Sequence, residues 1–247
     1  MNQTDDQSRW EPVKELMAGA ADVTLGPMHA YHMANTPRRL LYTLSYYKFA
    51  CKLIKPPGTN SKRVLDIGCG EGIGTWTLAA ECGYAKGVDF DNDLIEIAKQ
   101  NWTQQKLNAD EDSEENTDRK VHIDFHCGDA LTLTEQPFDA VVNFDVIEHI
   151  MPKHADAFVK GMADQLKPHG LAIVGTPNIT SAQYASPVTN AGHVNLYDAD
   201  RLHAQFAKYF TQVFMFAAND EVIHTGFLPM AHYLIAVGVR PKHAASN

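Results

Sequence analysis

The sequence predicts an α/β fold: a mostly parallel sheet covered by helices on both faces. Two observations carry this expectation. From Arg63 onward, apolar runs of strand length alternate with single segments of helical periodicity, the order that builds parallel sheets. A cluster of glycines (Gly68, Gly70, Gly72, Gly74) stands between the first such run and the first helical segment. Ligands of these sheets bind outside the carboxyl ends of the strands, so the loops after the strands are where a site is expected. A length of 247 residues suits one such domain with a smaller appendage rather than two full modules.

The elements follow in order. Leu40, Leu41, Leu44, Tyr47, Phe49 and Leu53 predict an N-terminal helix with these residues as its buried stripe. Lys55-Pro56-Pro57-Gly58 ends that helix, because proline cannot continue it, and divides the chain into a helical cap, 1–58, and a main domain, 59–247. Residues 64–67 are the first strand, 75–81 a helix and 84–89 the next strand. Leu94, Ile95, Ile97, Ala98 and Trp102 place a helix over 93–106, with Asp91 or Asn92 as its cap. Strands are expected at 121–126 and 138–144, and a helix at 155–166 stopped by Lys167-Pro168-His169-Gly170. A strand at 171–175, a polar loop at 176–196, a helix at 198–209 and strands at 213–217 and 232–240 complete the chain.

Composition excludes several classes. Apolar residues make up 45% of the chain, enough for a core and too many for a disordered polypeptide. No apolar run reaches the roughly 18–20 residues that span a bilayer, and residues 1–12 are polar and acidic, so neither membrane insertion nor a signal peptide is expected. Cys51, Cys69, Cys82 and Cys127 form no C-x-x-C pair, which suits a cytoplasmic location. The net charge of −9 argues against a nucleic-acid partner, whose phosphates require clustered Lys and Arg. The charge is uneven: residues 1–63 hold nine basic and five acidic side chains, whereas 108–118 holds six acids and no base. That block reads as a solvated surface loop.

The glycine loop runs Asp66-Ile67-Gly68-Cys69-Gly70-Glu71-Gly72-Ile73-Gly74. Glycines let the backbone approach a ligand closely, and the following helix offers free N–H groups. Neither register fits the dinucleotide pattern G-x-G-x-x-G, since Ile73 and Thr75 occupy the third glycine's place, and no Gly-Lys-Ser/Thr follows for a phosphate loop. Asp89, ending the second strand, can accept two hydrogen bonds from a ribose diol. Gly128-Asp129-Ala130 ends the third strand, where an acid can accept from an adenine amino group.

These segments together, V-L-D-I-G-C-G-E-G at 64–72, G-V-D-F-D at 87–91, G-D-A at 128–130 and F-D-A-V-V-N-F-D-V-I-E-H at 138–149, resemble the class I S-adenosylmethionine-dependent methyltransferases over about residues 60–240. The resemblance implies a Rossmann-like sheet of seven strands, the last antiparallel. It also implies S-adenosylmethionine as cofactor. Gly68, Cys69 and Gly70 would lie at its methionine part, Asp89 at the ribose, Phe90, Asp129 and Ala130 at the adenine, and the Phe144 backbone near the sulfonium.

Methyl transfer from a sulfonium is an in-line displacement in which positioning does most of the catalysis. A hydroxyl acceptor also requires a base, and histidine titrates in the right range. His149, just after the fourth strand, and His193, in the loop after the fifth, are the candidate catalytic residues; His149 is equally readable as structural. His224 is a further base candidate. Asp145, Glu148, His149 and His193 also resemble the acid-x-x-Glu-His plus distant His cluster of metal-dependent small-RNA 2′-O-methyltransferases, with Asp145 replacing the longer Glu. That makes a divalent metal an alternative, although no metal ligand is assigned in the favoured reading. The Glu-His pair occurs as well in small-molecule enzymes, including those of quinone precursors. The cap presents His29, His32, Arg38 and Arg39; the arginines suit an anionic acceptor or simple solvation. The expectation is thus O-methylation of a small polar acceptor, such as a sugar or surface-glycan precursor. N-methylation of an amine and a non-catalytic cofactor-binding subunit are the other classes, and the oligomeric state is left open.

Overall fold

The computed structural model describes residues 8–18, 22–102 and 121–242; the acidic block at 108–118 lies outside them. Helices α1 (Glu11–Met17), α2 (Pro27–Asn35) and α3 (Arg38–Ile54) lead into β1 (Lys62–Ile67), α4 (Ile73–Cys82), β2 (Gly83–Asp89) and α5 (Asn92–Asn101). Then come β3 (His122–Cys127), β4 (Phe138–Phe144), α6 (Pro152–Asp164) and β5 (Leu166–Pro177). The chain continues through α7 (Pro187–Gly192), α8 (Ala199–Tyr209), β6 (Phe210–Asn219), β7 (Val222–His224) and β8 (Tyr233–Pro241).

All described strands join one sheet in the order β3-β2-β1-β4-β5-β8-β6-β7. β1 to β5 run parallel, and β8 is antiparallel to both of its neighbours. The α/β expectation holds, but the sheet has eight strands, not seven. The additional strand is β7: Asp220, at φ 55°, and Glu221 turn the chain straight back, so that Asn219 pairs with Val222 and Ala217 with His224. The segment read as a connection between the last two strands therefore forms an edge strand.

The sheet is buried on both faces because its strands send alternate side chains into two cores. Leu65 and Val141 of the strands pack with Phe158 and Met162 of α6 and Leu202 and Phe206 of α8, whereas Val64, Ala140, Val142 and Ile173 pack with Leu78 of α4 and Tyr47 and Ala50 of α3. Leu65 and Leu78 are fully buried, each worth about 1.5–3 kcal/mol relative to an exposed side chain.

Three local expectations need correction. The buried stripe of α3 is Tyr46, Tyr47, Ala50, Cys51 and Ile54, while Leu41 is 60% exposed. Only the second half of the helix lies on the sheet, and its first turns stand over the cavity described below. Lys167 to Gly170 does not simply stop a helix: α6 ends at Asp164, and these residues bulge within β5, whose pairing with β4 shifts register between Phe138 and Ala140. The polar loop 176–196 carries a helical turn (Ile179–Tyr184) and α7, and a bridge between Asn178 and Tyr197 pins its base. Among the described residues no helix is long and apolar enough to cross a membrane.

Candidate active site

A cavity of about 920 Å³ opens at the carboxyl ends of β1, β2 and β4, walled on its outer side by α2 and the first turns of α3. Gly68, Cys69, Gly70, Asp89, Phe90, Asp129, Ala130, Phe144, His149 and His193 all line it.

At one end the chain leaves β1 with Gly68 at φ 74° and Gly70 at φ 53°, a region that favours glycine. A Cβ on Gly68 would come within 2.2 Å of Val146 Cγ2, whereas one on Gly70 would meet no protein atom within 4 Å. The space above Gly70 therefore belongs to the cavity. The loop is held from below: Gly68 N and Cys69 N donate to the Val88 carbonyl at 2.8 and 3.2 Å. Gly70 N donates to Asp89 Oδ2 at 2.9 Å, and Asp89 Oδ1 accepts from Asp91 N at 3.0 Å. Each Asp89 oxygen thus keeps one lone-pair direction for a ligand. Asp129 Oδ1 likewise accepts from Leu131 N at 2.9 Å. Phe90 is 74% exposed, a ring face open to a planar ligand. Burial, with the charges of Asp66 and Asp89, raises the Cys69 thiol well above its ordinary value, so Cys69 is a neutral neighbour and not a thiolate nucleophile.

Beneath the loop Asp66 is fully buried and accepts from Thr75 Oγ1 at 2.7 Å and from the Tyr47 hydroxyl at 3.2 Å. Burial, opposed by those two hydroxyls and aided by Asp89, pushes its carboxyl up to about 7. An aspartate raised this way keeps its proton in the folded state while the unfolded chain has already lost it. Its contribution is complete below about pH 4 and is lost as pH rises through 7. The Asp66→Asn protein should therefore show a flatter stability curve between pH 4.5 and 7.5. The difference should reach about 3 kcal/mol across the window, read from denaturant midpoints at each pH; parallel curves would refute it.

At the other end, the turn Ile147–His149 and the segment after α7 are zipped together. Val194 N and Asn195 N both donate to the Glu148 carbonyl at 3.0 Å, and His149 Nδ1 donates to Gly192 O at 2.8 Å. That bond leaves His149 Nε2 with its lone pair. The His149 and His193 rings meet edge to face with centroids 5.0 Å apart. Between them Glu148 is fully buried: Oε2 accepts from Thr176 Oγ1 at 3.0 Å, while Oε1 has no hydrogen-bond partner among the described residues and lies 4.0 Å from His193 Nε2. Burial, then the Asp145 charge, pushes Glu148 up to about 8. Burial and His149 hold His193 below its ordinary value, which favours the neutral ring that can take a proton. One ligand atom each from Glu148, His149 and His193 lies within 4.8 Å of the others, a spacing that suits a cation. Asp145, at φ 56°, is set apart from this trio and pairs with Arg39 at 3.5 Å.

His29, His32 and Arg39 of the expected cap group line the cavity, and Arg38 does not. Nor does His224, which sits on β7 accepting from Gly226 N at 3.0 Å. Two residues escaped the sequence reading. The Glu71 carboxylate is buried and accepts from Gly26 N, Met28 N, His29 N and His29 Nδ1, clamping the start of α2 to the glycine loop. Tyr47 bonds the same loop's Asp66 from α3. An acid between two glycines was the only signal for the first, and nothing local marked the second.

A family model described as a methyltransferase domain matches residues 36–209. The ubiquinone biosynthesis O-methyltransferase of Brucella anthropi is 29% identical over 174 residues, 68% of this chain and 61% of that one. The protein of the same name from Maricaulis maris is 36% identical over 132 residues, 52% and 46% of the two chains. The chain therefore spans about half to three fifths of the length of these relatives. Among solved structures, N-methyltransferase NodS from Bradyrhizobium japonicum, in complex with S-adenosyl-L-homocysteine, superposes with TM-score 0.58 at 16% identity over 93% of this chain and 98% of that one. Magnesium protoporphyrin IX methyltransferase from Synechocystis does so with TM-score 0.55 at 14% identity, over 97% and 100%. Both share the fold.

Proposed function

Since the chain belongs to the methyltransferase-domain family, we propose that it moves a methyl group from S-adenosylmethionine to a hydroxyl of a small-molecule acceptor. One observation carries the reading: a single cavity holds the glycine loop with Asp89 and Asp129 at one end and the paired imidazoles of His149 and His193 at the other. The O-methyltransferase names of the curated relatives support it.

The bound sulfonium supplies an electrophilic methyl group. Gly68, Gly70 and Asp89 would hold the cofactor, and Phe144 and Val146 are apolar walls of the cavity that would keep water from the reacting atoms. His193 would take the acceptor's hydroxyl proton as the methyl carbon exchanges its bond to sulfur for one to oxygen, with S-adenosylhomocysteine as the leaving group, and His149, fixed by Gly192, would orient the acceptor. We propose that residues 1–58 act as the cap over this end, with Glu71 as its clasp. A sugar or surface-glycan precursor is one acceptor in this class. The apolar wall of Met28, Met33, Leu40, Ile150 and Phe158 better suits an acceptor whose hydroxyl sits on a ring of low polarity.

A second reading rests on Glu148 Oε1, buried and without a hydrogen-bond partner among the described residues, beside two imidazoles. A divalent cation held by Glu148, His149 and His193 would polarise the hydroxyl directly. Labelled S-adenosylmethionine offered with phenols, sugars and amines, before and after chelation, tests both. We expect label on phenolic oxygen. Activity unchanged by the chelator eliminates the cation, loss restored by a divalent ion establishes it, and label on nitrogen alone overturns the hydroxyl reading.

A further inference from the structure

We propose that the acceptor is an anion, carrying a carboxylate or a phosphate, and that Arg39 receives that group. The inference rests on the methyl-transfer reading and names the acceptor class within it. Among the described residues that wall the cavity, Arg39 is the only lysine or arginine. Its side chain is 42% exposed, and its ionic partner among them is Asp145, with Nη2 3.5 Å from Oδ2. Charge-assisted pairs of this type close to about 2.7–2.9 Å when they are strong. The guanidinium is a planar fork of five donors, and this single loose contact leaves most of them for a ligand.

The surroundings reinforce the polarity. Helix α3 starts at Arg38 behind Pro37 with no capping side chain and no acid in its first turn. Its positive end therefore adds to the field of Arg39, and Leu40 of the same turn lines the cavity. At the far end the cavity is lined by Asp89, Asp91 and Asp129. An anionic acceptor is repelled from that end, where no lysine or arginine among the described lining residues offsets the acids, and favoured at this one, where Arg39 and the helix end oppose the single acid Asp145. The position also serves the chemistry. Asp145, paired with Arg39, stands just ahead of the Ile147–His149 turn, and Arg39, His149 and His193 line the same cavity, so a group bound on Arg39 holds the rest of the acceptor beside the imidazoles. Arg38, the other basic residue of the cap's arginine pair, points elsewhere and offers no equivalent.

The test is calorimetry on the full chain saturated with S-adenosylhomocysteine, using benzoate, its neutral analogue benzamide, and inorganic phosphate. Benzoate or phosphate should bind at least about tenfold more tightly than benzamide. Arg39→Gln should abolish that preference while S-adenosylhomocysteine binds as before, and Arg39→Lys should recover part of it. Preference for benzoate identifies a carboxylate acceptor, and preference for phosphate a phosphorylated one. Equal binding of benzamide and both anions, no anion binding at all, or anion binding that survives in Arg39→Gln overturns the assignment. Failure of S-adenosylhomocysteine to bind counts instead against the methyl-transfer reading.

Discussion

An Asp89→Ala protein is expected to bind S-adenosylhomocysteine about a hundredfold more weakly than the unaltered chain, measured by calorimetry. Two losses combine. The substitution removes the acceptor of the Gly70 N–H at 2.9 Å and of the Asp91 N–H at 3.0 Å, so the glycine loop and the turn after β2 lose their common anchor. It also removes the carboxylate proposed to bind the cofactor's diol. Hydrogen bonds to a charged group contribute about 1.5–3 kcal/mol each, and about 2.8 kcal/mol corresponds to a hundredfold in affinity. Asp89→Asn keeps one acceptor oxygen and should fall between the two. The same two bonds anchor the loop and the turn in the free protein, so the melting temperature should fall as well. A change in affinity of less than about threefold would remove Asp89 from the cofactor site.

Much of the frame was legible because the sheet's strands are short apolar runs, each followed by a loop with its own chemistry. The strand at 138–144 matches β4 residue for residue, and Asp91 caps α5 as expected, accepting from Asp93 N and Leu94 N. Such features rest on neighbours in sequence, and a linear pattern shows them. The stripe of α3 was misread for the opposite reason. Leu40, Leu41 and Leu44 have helical periodicity, but which face meets the sheet depends on where α3 starts relative to β1, a tertiary fact. Leu40 consequently borders the cavity and Tyr46 joins the core, stacked on Tyr233 with centroids 4.5 Å apart. The β7 hairpin carries only half of a turn signal: Asp220 takes the left-handed conformation, but Glu221 stands where an Asp-Gly turn would have its glycine.

The site divides along the same line. Gly68, Gly70, Asp89 and Asp129 sit in contiguous motifs, and their convergence on one cavity follows from strand order. Arg39 and Tyr47 reach it from α3, and Glu71 of the glycine loop holds the start of α2 against it, through long-range contacts whose docking no periodicity encodes. Glu148 shows a third case. Its place in the motif was visible, but its isolation was not: only the fold shows that Thr176 satisfies one oxygen and leaves the other facing His193.

His193→Ala should lower kcat by about 10²–10⁴, the range that general-base catalysis supplies, with S-adenosylhomocysteine affinity unchanged. The substitution is a clean probe because the backbone around it is held without the ring. His193 N donates to Thr189 O at 3.0 Å, and the next two residues bond the Glu148 carbonyl. Removing the imidazole therefore leaves the backbone junction between the Ile147–His149 turn and the α7 segment intact, and takes away the proposed base together with its ring contact to His149. His149→Ala should do less harm to kcat and more to KM, since Nδ1 is committed to Gly192 and the ring's proposed part is to orient the acceptor. A cation site would give a different pattern. Both variants would then fall together, and excess divalent ion would restore part of the activity by mass action. If His193→Ala instead keeps kcat within about threefold of the parent, a value far below the general-base range, the proton leaves by another route and His193 is a wall residue.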